Sequence, residues 1–256
     1  MPILWERDGF VGIATIDRPE RRNALSADLC DELTAHLRGN PGLRVVIITG
    51  SGDKAFSAGA DLARRASDTS SLQHGGRDTF RPSFEALLDT IVGLPAPVLA
   101  AVNGAALGAG MQLAVACDLR LAAPQATFGI PSGRLGVLLS ASNISRLATV
   151  VGQPMARDLL FTARTLDVAE AEQAGLIQRR ADDVLGAAKE LAAEIAALAP
   201  LSLAGHKRAL NLVAGELAPQ SRKEIEELES AAFQSADLQE GLTAFAEKRA
   251  PRFRGA

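Results

Sequence analysis

The chain has 256 residues, 47% hydrophobic and 22% charged, with 27 Lys and Arg against 30 Asp and Glu for a net charge of −3. That balance excludes bulk electrostatic attraction to nucleic acid or an anionic membrane. The apolar fraction supports a packed core in one large domain, or one domain with an appendage.

The elements follow in chain order. Ile3–Arg7 and Val11–Ile16 read as short strands around the hairpin signal Asp8-Gly9. Ser26 caps a helix over Ala27–Arg38, with Leu29, Leu33 and Leu37 at helical spacing. Arg44–Thr49 is the continuous apolar run of a buried parallel strand. A turn of small residues, Ala58-Gly59-Ala60, follows Phe56-Ser57, and Asp61 reads as a helix N-cap. Ala66–Arg77 is polar and aperiodic and reads as a mobile loop. A helix is expected over Phe80–Val92 with Pro82 in its first turn, then a strand over Val98–Val102. The turn Asn103–Ala109 leads into an apolar helix, Gly110–Cys117. Strands over Leu119–Ala122 and Ala126–Phe128 precede a loop, Ile130–Leu139. Helices are expected over Ser142–Val151, Met155–Phe161 and Ala169–Ala174, and a strand over Leu176–Arg179. Four helices complete the chain: Val184–Leu198, Leu203–Val213, Ser221–Ser235 and Leu238–Arg249. Alternation that gives way to helices alone near residue 200 predicts an α/β core over residues 1–199 and a helical C-terminal region over 200–256.

No run of about 18 apolar residues and no basic leader with an apolar core occurs. The expectation is a cytoplasmic protein without a membrane span. Cys30 and Cys117 lie in apolar helical patterns and read as buried small side chains. His36, His74 and His206 lack metal-ligand spacing, and there is no phosphate-binding P-loop, zinc-binding His pair or serine nucleophile elbow. Gly108-Ala109-Gly110 lacks the third glycine of a dinucleotide turn.

Two turns of small residues therefore carry the chemistry. A strand, a tight turn and a helix start leave backbone N–H groups free to meet an anion or a developing oxyanion. Tight backbone packing explains the same composition. The surrounding residues decide: Arg18-Pro19 with Asn23-Ala24-Leu25; Phe56 through Leu62; Pro97-Val98 through Asn103-Gly104; Ala106 through Gly110; Cys117-Asp118-Leu119-Arg120; Phe128-Gly129; Ala171, Ala174-Gly175-Leu176; and Phe245 through Arg249. Together and in this order they resemble the enoyl-CoA hydratase/isomerase (crotonase) family across nearly the whole chain.

The resemblance implies a spiral of ββα units with a helical trimerisation region, assembled as a homo-trimer or hexamer. It implies an acyl-CoA thioester as ligand and no further cofactor or metal. The family's oxyanion-hole donors map to the backbone N–H groups of Ala60 and Ala109. Backbone near Ala24 and Ala58 would meet the adenine end of CoA, and Phe245 and Lys248 would reach CoA on a neighbouring subunit. Ala63 stands where a lysine is common, so Arg64 or Arg65 would substitute.

The chain departs from the family where protons move. The two hydratase glutamate positions hold Gln112 and Ser132, and a third position, aspartate in some members, holds Ser140. An amide cannot titrate, and an unassisted hydroxyl is far too weak an acid or base. Each positioned proton-transfer group is worth about 10²–10⁴-fold. Members lacking both glutamates resemble acyl-CoA-binding proteins that do not hydrate. Met111-Gln112-Leu113, Pro200-Leu201 and Lys207-Arg208 resemble that subgroup. The expected function is acyl-CoA binding in fatty-acid or lipid metabolism. The alternatives are a divergent hydratase or isomerase using Ser132, Ser140 or Asn143, and an assembly scaffold that binds no CoA thioester.

Overall fold

The computed structural model describes residues 2–61, 79–135, 137–214, 235–247, 249 and 251–256, with Glu224, Glu227 and Ala231 as isolated positions. Strands β1 (Ile3–Asp8) and β2 (Val11–Ile16) pair antiparallel across a turn that starts at Gly9, φ +56°. Parallel strands then add in the order β1-β2-β3-β5-β7-β10, with β3 at Val45–Gly50, β5 at Val98–Val102, β7 at Leu119–Ala122 and β10 at Arg179–Arg180. A second sheet, β4-β6-β8-β9, is built from short strands: β4 (Ala55–Ser57), β6 (Ala105–Leu107), β8 (Phe128–Gly129) and β9 (Thr165–Leu166).

The continuous apolar runs are explained by burial of both faces of the large sheet. Val45, Ile47, Leu99, Ala101 and Leu121 pack with Val184, Ala188, Leu191 and Ala192. Val46, Ile48, Val98, Ala100 and Val102 point the other way into the main core. Alternate side chains of a strand face opposite sides, so each apolar position has a partner layer.

Around the sheets lie α1 (Ala27–Gly39), α2 (Phe80–Gly93), α3 (Ala109–Ala116), α4 (Ala141–Thr162), α5 (Val168–Gln173), α6 (Val184–Ala196), α7 (Pro200–Val213) and α8 (Ala236–Glu247). A long strand, a short strand and a helix recur: β5–β6–α3, then β7–β8–α4. Ser26 caps α1 through a hydrogen bond from Leu29 N, as expected, and Gly152 at φ +74° breaks α4 into two helical pieces. No helix among the described residues is long and apolar enough to cross a membrane.

Three expectations are corrected. The turn Asn103–Ala109 contains β6, because Ala105 and Ala106 pair with Ala55 and Ser57 of β4, and Ala106 and Leu107 pair with β8. The strand expected at Leu176–Arg179 starts late. Leu176 and Ile177 are buried in the main core, and only Arg179 and Arg180 pair with β7. The loop Ile130–Leu139 includes a 3₁₀ helix over Pro131–Leu135. The expected loop Ala66–Arg77 and most of the expected helix Ser221–Ser235 lie outside the described residues.

Buried polar side chains tie the crossovers together. Asn23 donates through Nδ2 to Ser51 O and Ala55 O. Asn103 donates to Gly52 O and accepts from Gly50 N. Arg120 donates to Leu176 O, Cys117 O and Ala114 O, placing its charge at the carbonyl end of α3. These contacts hold the strand ends from which the two turns of small residues emerge.

Candidate active site

The first turn leaves β4 at Ser57. Ser57 Oγ accepts from Gly59 N at 3.2 Å, and Ala58 N donates to Arg22 O at 2.9 Å. Leu25 and Ala60 form an isolated parallel bridge. In it Leu25 N donates to Gly59 O and Leu25 O accepts from Asp61 N. The bridge uses the groups either side of Ala60, so the N–H of Ala60 turns away from Leu25. It has no acceptor among the described residues.

The second turn pivots on Gly108, whose φ of +55° and ψ of −115° suit only glycine. Gly108 N donates to Gly129 O, and its carbonyl accepts from Gln112 N as the first bond of α3. Ala109 is the first residue of that helix. Its N–H also has no acceptor among the described residues, and it sits at the positive end of the helix dipole.

The two turns touch through backbone. A Cβ added at Gly59 (φ +98°) would lie 2.7 Å from Leu107 O and 3.2 Å from Ala109 N. One added at Gly110 would lie 2.2 Å from Ser57 O. The glycines thus allow close approach of the turns, and that approach sets two free N–H donors side by side. Tight packing and ligand-gripping, two readings of one composition, here describe the same contact.

The neutral side chains follow on the neighbouring elements. Gln112, half-buried on α3, donates through Nε2 to Gly108 O at 3.3 Å. Ser132 is half-buried on the 3₁₀ helix, which packs against α4. Ser140 caps α4, its hydroxyl accepting from Asn143 N at 3.4 Å. No hydrogen bond joins Ser132 or Ser140 to a histidine or carboxylate among the described residues. Among the described residues, neither hydroxyl therefore has the base that nucleophilic catalysis needs.

The nearby acids are engaged elsewhere. Asp61 was expected as an N-cap. Its carboxylate pairs with Arg18 Nη2 at 3.0 Å and Arg21 Nη1 at 3.3 Å, tying the first turn to the segment before α1. The residues it would cap lie outside those described. Asp118 pairs with Lys207 Nζ at 2.7 Å and accepts from Val98 N, a structural use. Sequence reasoning did not connect Arg18 and Arg21 to Asp61. The only signal was an acid directly after a turn of small residues.

The predicted CoA-contacting positions differ among themselves. Ala24 has both backbone groups occupied, its N–H by Arg21 O and its carbonyl by Arg18 Nη1. The Ala58 carbonyl has no donor among the described residues. Phe245 lies on α8, while Arg64, Arg65 and Lys248 fall outside the described residues. Phe80 and Phe84 stack at 5.3 Å between ring centroids at the start of α2. Cys30 and Cys117 are free and buried, and burial pushes each thiol up to about 12.

The family model for enoyl-CoA hydratase/isomerase matches residues 6–256. The chain belongs to the enoyl-CoA hydratase/isomerase family. It is 39% identical over 256 residues to a Mycobacterium tuberculosis protein named "Probable enoyl-CoA hydratase echA8", covering 98% of this chain and 97% of that one. It is 33% identical to the short-chain-enoyl-CoA hydratase of Clostridium acetobutylicum, covering 96% and 95%. The crystal structure of an enoyl-CoA hydratase from Bacillus anthracis superposes with a TM-score of 0.91 at 31% identity, over 100% of both chains. The crotonase-like α/β fold is thus established by sequence and by shape.

Proposed function

We propose that this family member binds acyl-CoA thioesters and does not hydrate them at a normal rate. One observation carries the reading: the two backbone donors of an oxyanion hole have no acceptor among the described residues, while the side chains at the family's acid and base positions are Gln112, Ser132 and Ser140. Donors without proton transfer grip a ground-state carbonyl, and equal grip on ground and transition states is binding rather than catalysis. The thioester oxygen sits between the N–H groups of Ala60 and Ala109. The CoA moiety leaves past Ala58, with Arg64 or Arg65, Phe245 and Lys248 as its remaining contacts. A trimer or hexamer brings the last two from a neighbouring subunit. The setting is fatty-acid or lipid metabolism in the cytoplasm.

The test is calorimetric binding of a saturated acyl-CoA series, run beside a crotonyl-CoA hydration assay on the same sample. Saturable binding with negligible turnover is expected. Turnover within tenfold of an ordinary hydratase overturns the reading in favour of a divergent enzyme. Absence of binding to every CoA thioester leaves the scaffold reading.

A further inference from the structure

We propose that Arg120 is a positioning residue for charge on the thioester oxygen: a buried cation that acts through α3 and raises the positive potential at the Ala109 N–H. The proposal rests on the acyl-CoA reading above. Arg120 lies on β7 and is only 4% exposed. Its Nη1 donates to Cys117 O at 2.6 Å and to Ala114 O at 3.2 Å, at the carbonyl end of α3. Nε donates to Leu176 O, and Nη2 donates to Gln178 Oε1 and Asp118 O. Every one of these acceptors is an uncharged oxygen. No carboxylate pairs with Arg120 among the described residues.

Burying a charge without a counter-ion is costly, and capping carbonyls does not require a charge. Burial pulls the guanidinium below its ordinary pKa, yet it keeps its proton. The charges nearest to it do not cancel it. Asp118, two residues earlier, is paired with Lys207 Nζ at 2.7 Å, and Cys117 stays a neutral thiol, pushed up to about 12. This end of α3 therefore carries one net positive charge.

At the other end of the same helix is the Ala109 N–H, which has no acceptor among the described residues. Eight residues, each rising about 1.5 Å, separate the two ends by roughly 12 Å. All of α3 but Gln112 is buried, so the span runs through protein interior rather than water. The helix dipole puts negative charge at the carbonyl end. A cation there neutralises it and leaves the positive end uncompensated, so the potential at Ala109 rises. A unit charge at about 12 Å, in an effective dielectric of about 20, shifts the pKa of an anion by about one unit. The gain depends on the charge of the ligand. A thioester that carries an oxyanion receives it in full, and one that stays neutral receives a fraction.

Acetoacetyl-CoA is the probe. Loss of a proton from its second acyl carbon to the buffer leaves the electron pair spread over the two carbonyl oxygens, and this enolate absorbs in the near ultraviolet. The pH midpoint of that absorbance, read with the thioester saturated by protein, should lie below that of the free thioester. Arg120→Gln keeps an amide donor and removes the charge, so its midpoint should rise by about 0.5–1 unit above the wild type. Arg120→Lys keeps the charge and loses the fork, and it should restore most of the shift. Asp118→Asn keeps an acceptor for Val98 N and leaves Lys207 uncompensated, so its midpoint should fall below the wild type. Opposite shifts distinguish charge from distortion of the turn, which would weaken the enolate and neutral butyryl-CoA together. A wild-type midpoint no lower than that of the free thioester, an unmoved midpoint in Arg120→Gln, or shifts of the same sign in Arg120→Gln and Asp118→Asn overturn the inference and leave the acyl-CoA reading standing. If Arg120→Gln does not fold, the direction of the Asp118→Asn shift decides alone. Failure of the wild type to bind either thioester overturns both.

Discussion

A carboxamide and a carboxylate fill nearly the same volume, yet only one moves a proton. At Gln112 the difference extends to the local hydrogen bond, because the amide donates to Gly108 O and a carboxylate there could not. Gln112→Glu therefore turns its new acid away from Gly108, toward the open side of α3, where the helix N-terminus favours negative charge. Combined with Ser132→Glu, it should raise crotonyl-CoA hydration by at least about 10²-fold, with each single variant below the pair. Loss of enoyl-thioester absorbance measures this. A double variant no faster than the wild type would place the missing chemistry elsewhere. The cysteines supply a second residue-scale prediction. The thiolate is the reactive form, and burial raises both thiols from 9.0 to about 12. A disulfide reagent at pH 8 should leave both unmodified in the native protein and titrate both in denaturant. The unfolded chain loses these protons first as pH rises, so the two thiols subtract from stability between pH 9 and 12.

At the scale of elements, the site is two turns held in backbone contact. Gly110→Ala puts a methyl 2.2 Å from Ser57 O and 2.8 Å from Ser57 Cβ, where neither partner is a flexible side-chain end. Overpacking of this kind costs about 1–3 kcal/mol or more. Gly133→Ala meets nothing closer than Leu160 O at 3.7 Å. Melting curves should show a fall of several degrees for the first and little change for the second. The same turns show what local pattern conveys. Strands β5 and β7 and helix α3 were legible because continuous apolar runs flank a break of small residues. Strand β6 was not: two alanines and a leucine say nothing about pairing, and its partners β4 and β8 lie in distant segments of chain. The engagement of Asp61 by Arg18 and Arg21 was hidden for the same reason. Backbone donors at Ala60 and Ala109 could be proposed because a donor needs no particular side chain. The placement of Arg120 at the carbonyl end of α3 could not, since its acceptors at Ala114, Cys117 and Leu176 are backbone carbonyls too.

Across the whole molecule, the C-terminal helices are attached to the strand that feeds the second turn. Lys207 is the buried residue of α7. Its ammonium donates to Ile91 O near the end of α2 and to Ala96 O before β5, and pairs with Asp118. Asp118 in turn accepts from Val98 N, the first residue of β5. All three ammonium donors are thus used, and a single side chain joins α7, α2 and the β5–α3 unit. Elsewhere in the C-terminal region, Asn211 donates to Val92 O, Arg44 donates to Phe253 O, and Asp237 accepts from Arg254 N and Gly255 N. Lys207→Met preserves much of the apolar stem but leaves two carbonyls and a carboxylate without their cation. Breaking a buried pair costs roughly 3–5 kcal/mol, and the part exposure of Asp118 places this pair at the lower end of that range. A fall in melting temperature of about 5–10 °C should follow for a chain of this length. Adding Asp118→Asn removes the stranded charge while keeping an acceptor for Val98 N, so the double variant should melt above Lys207→Met alone. Additive losses in the two substitutions would show that Lys207 holds α7 through the carbonyls of Ile91 and Ala96 rather than through Asp118.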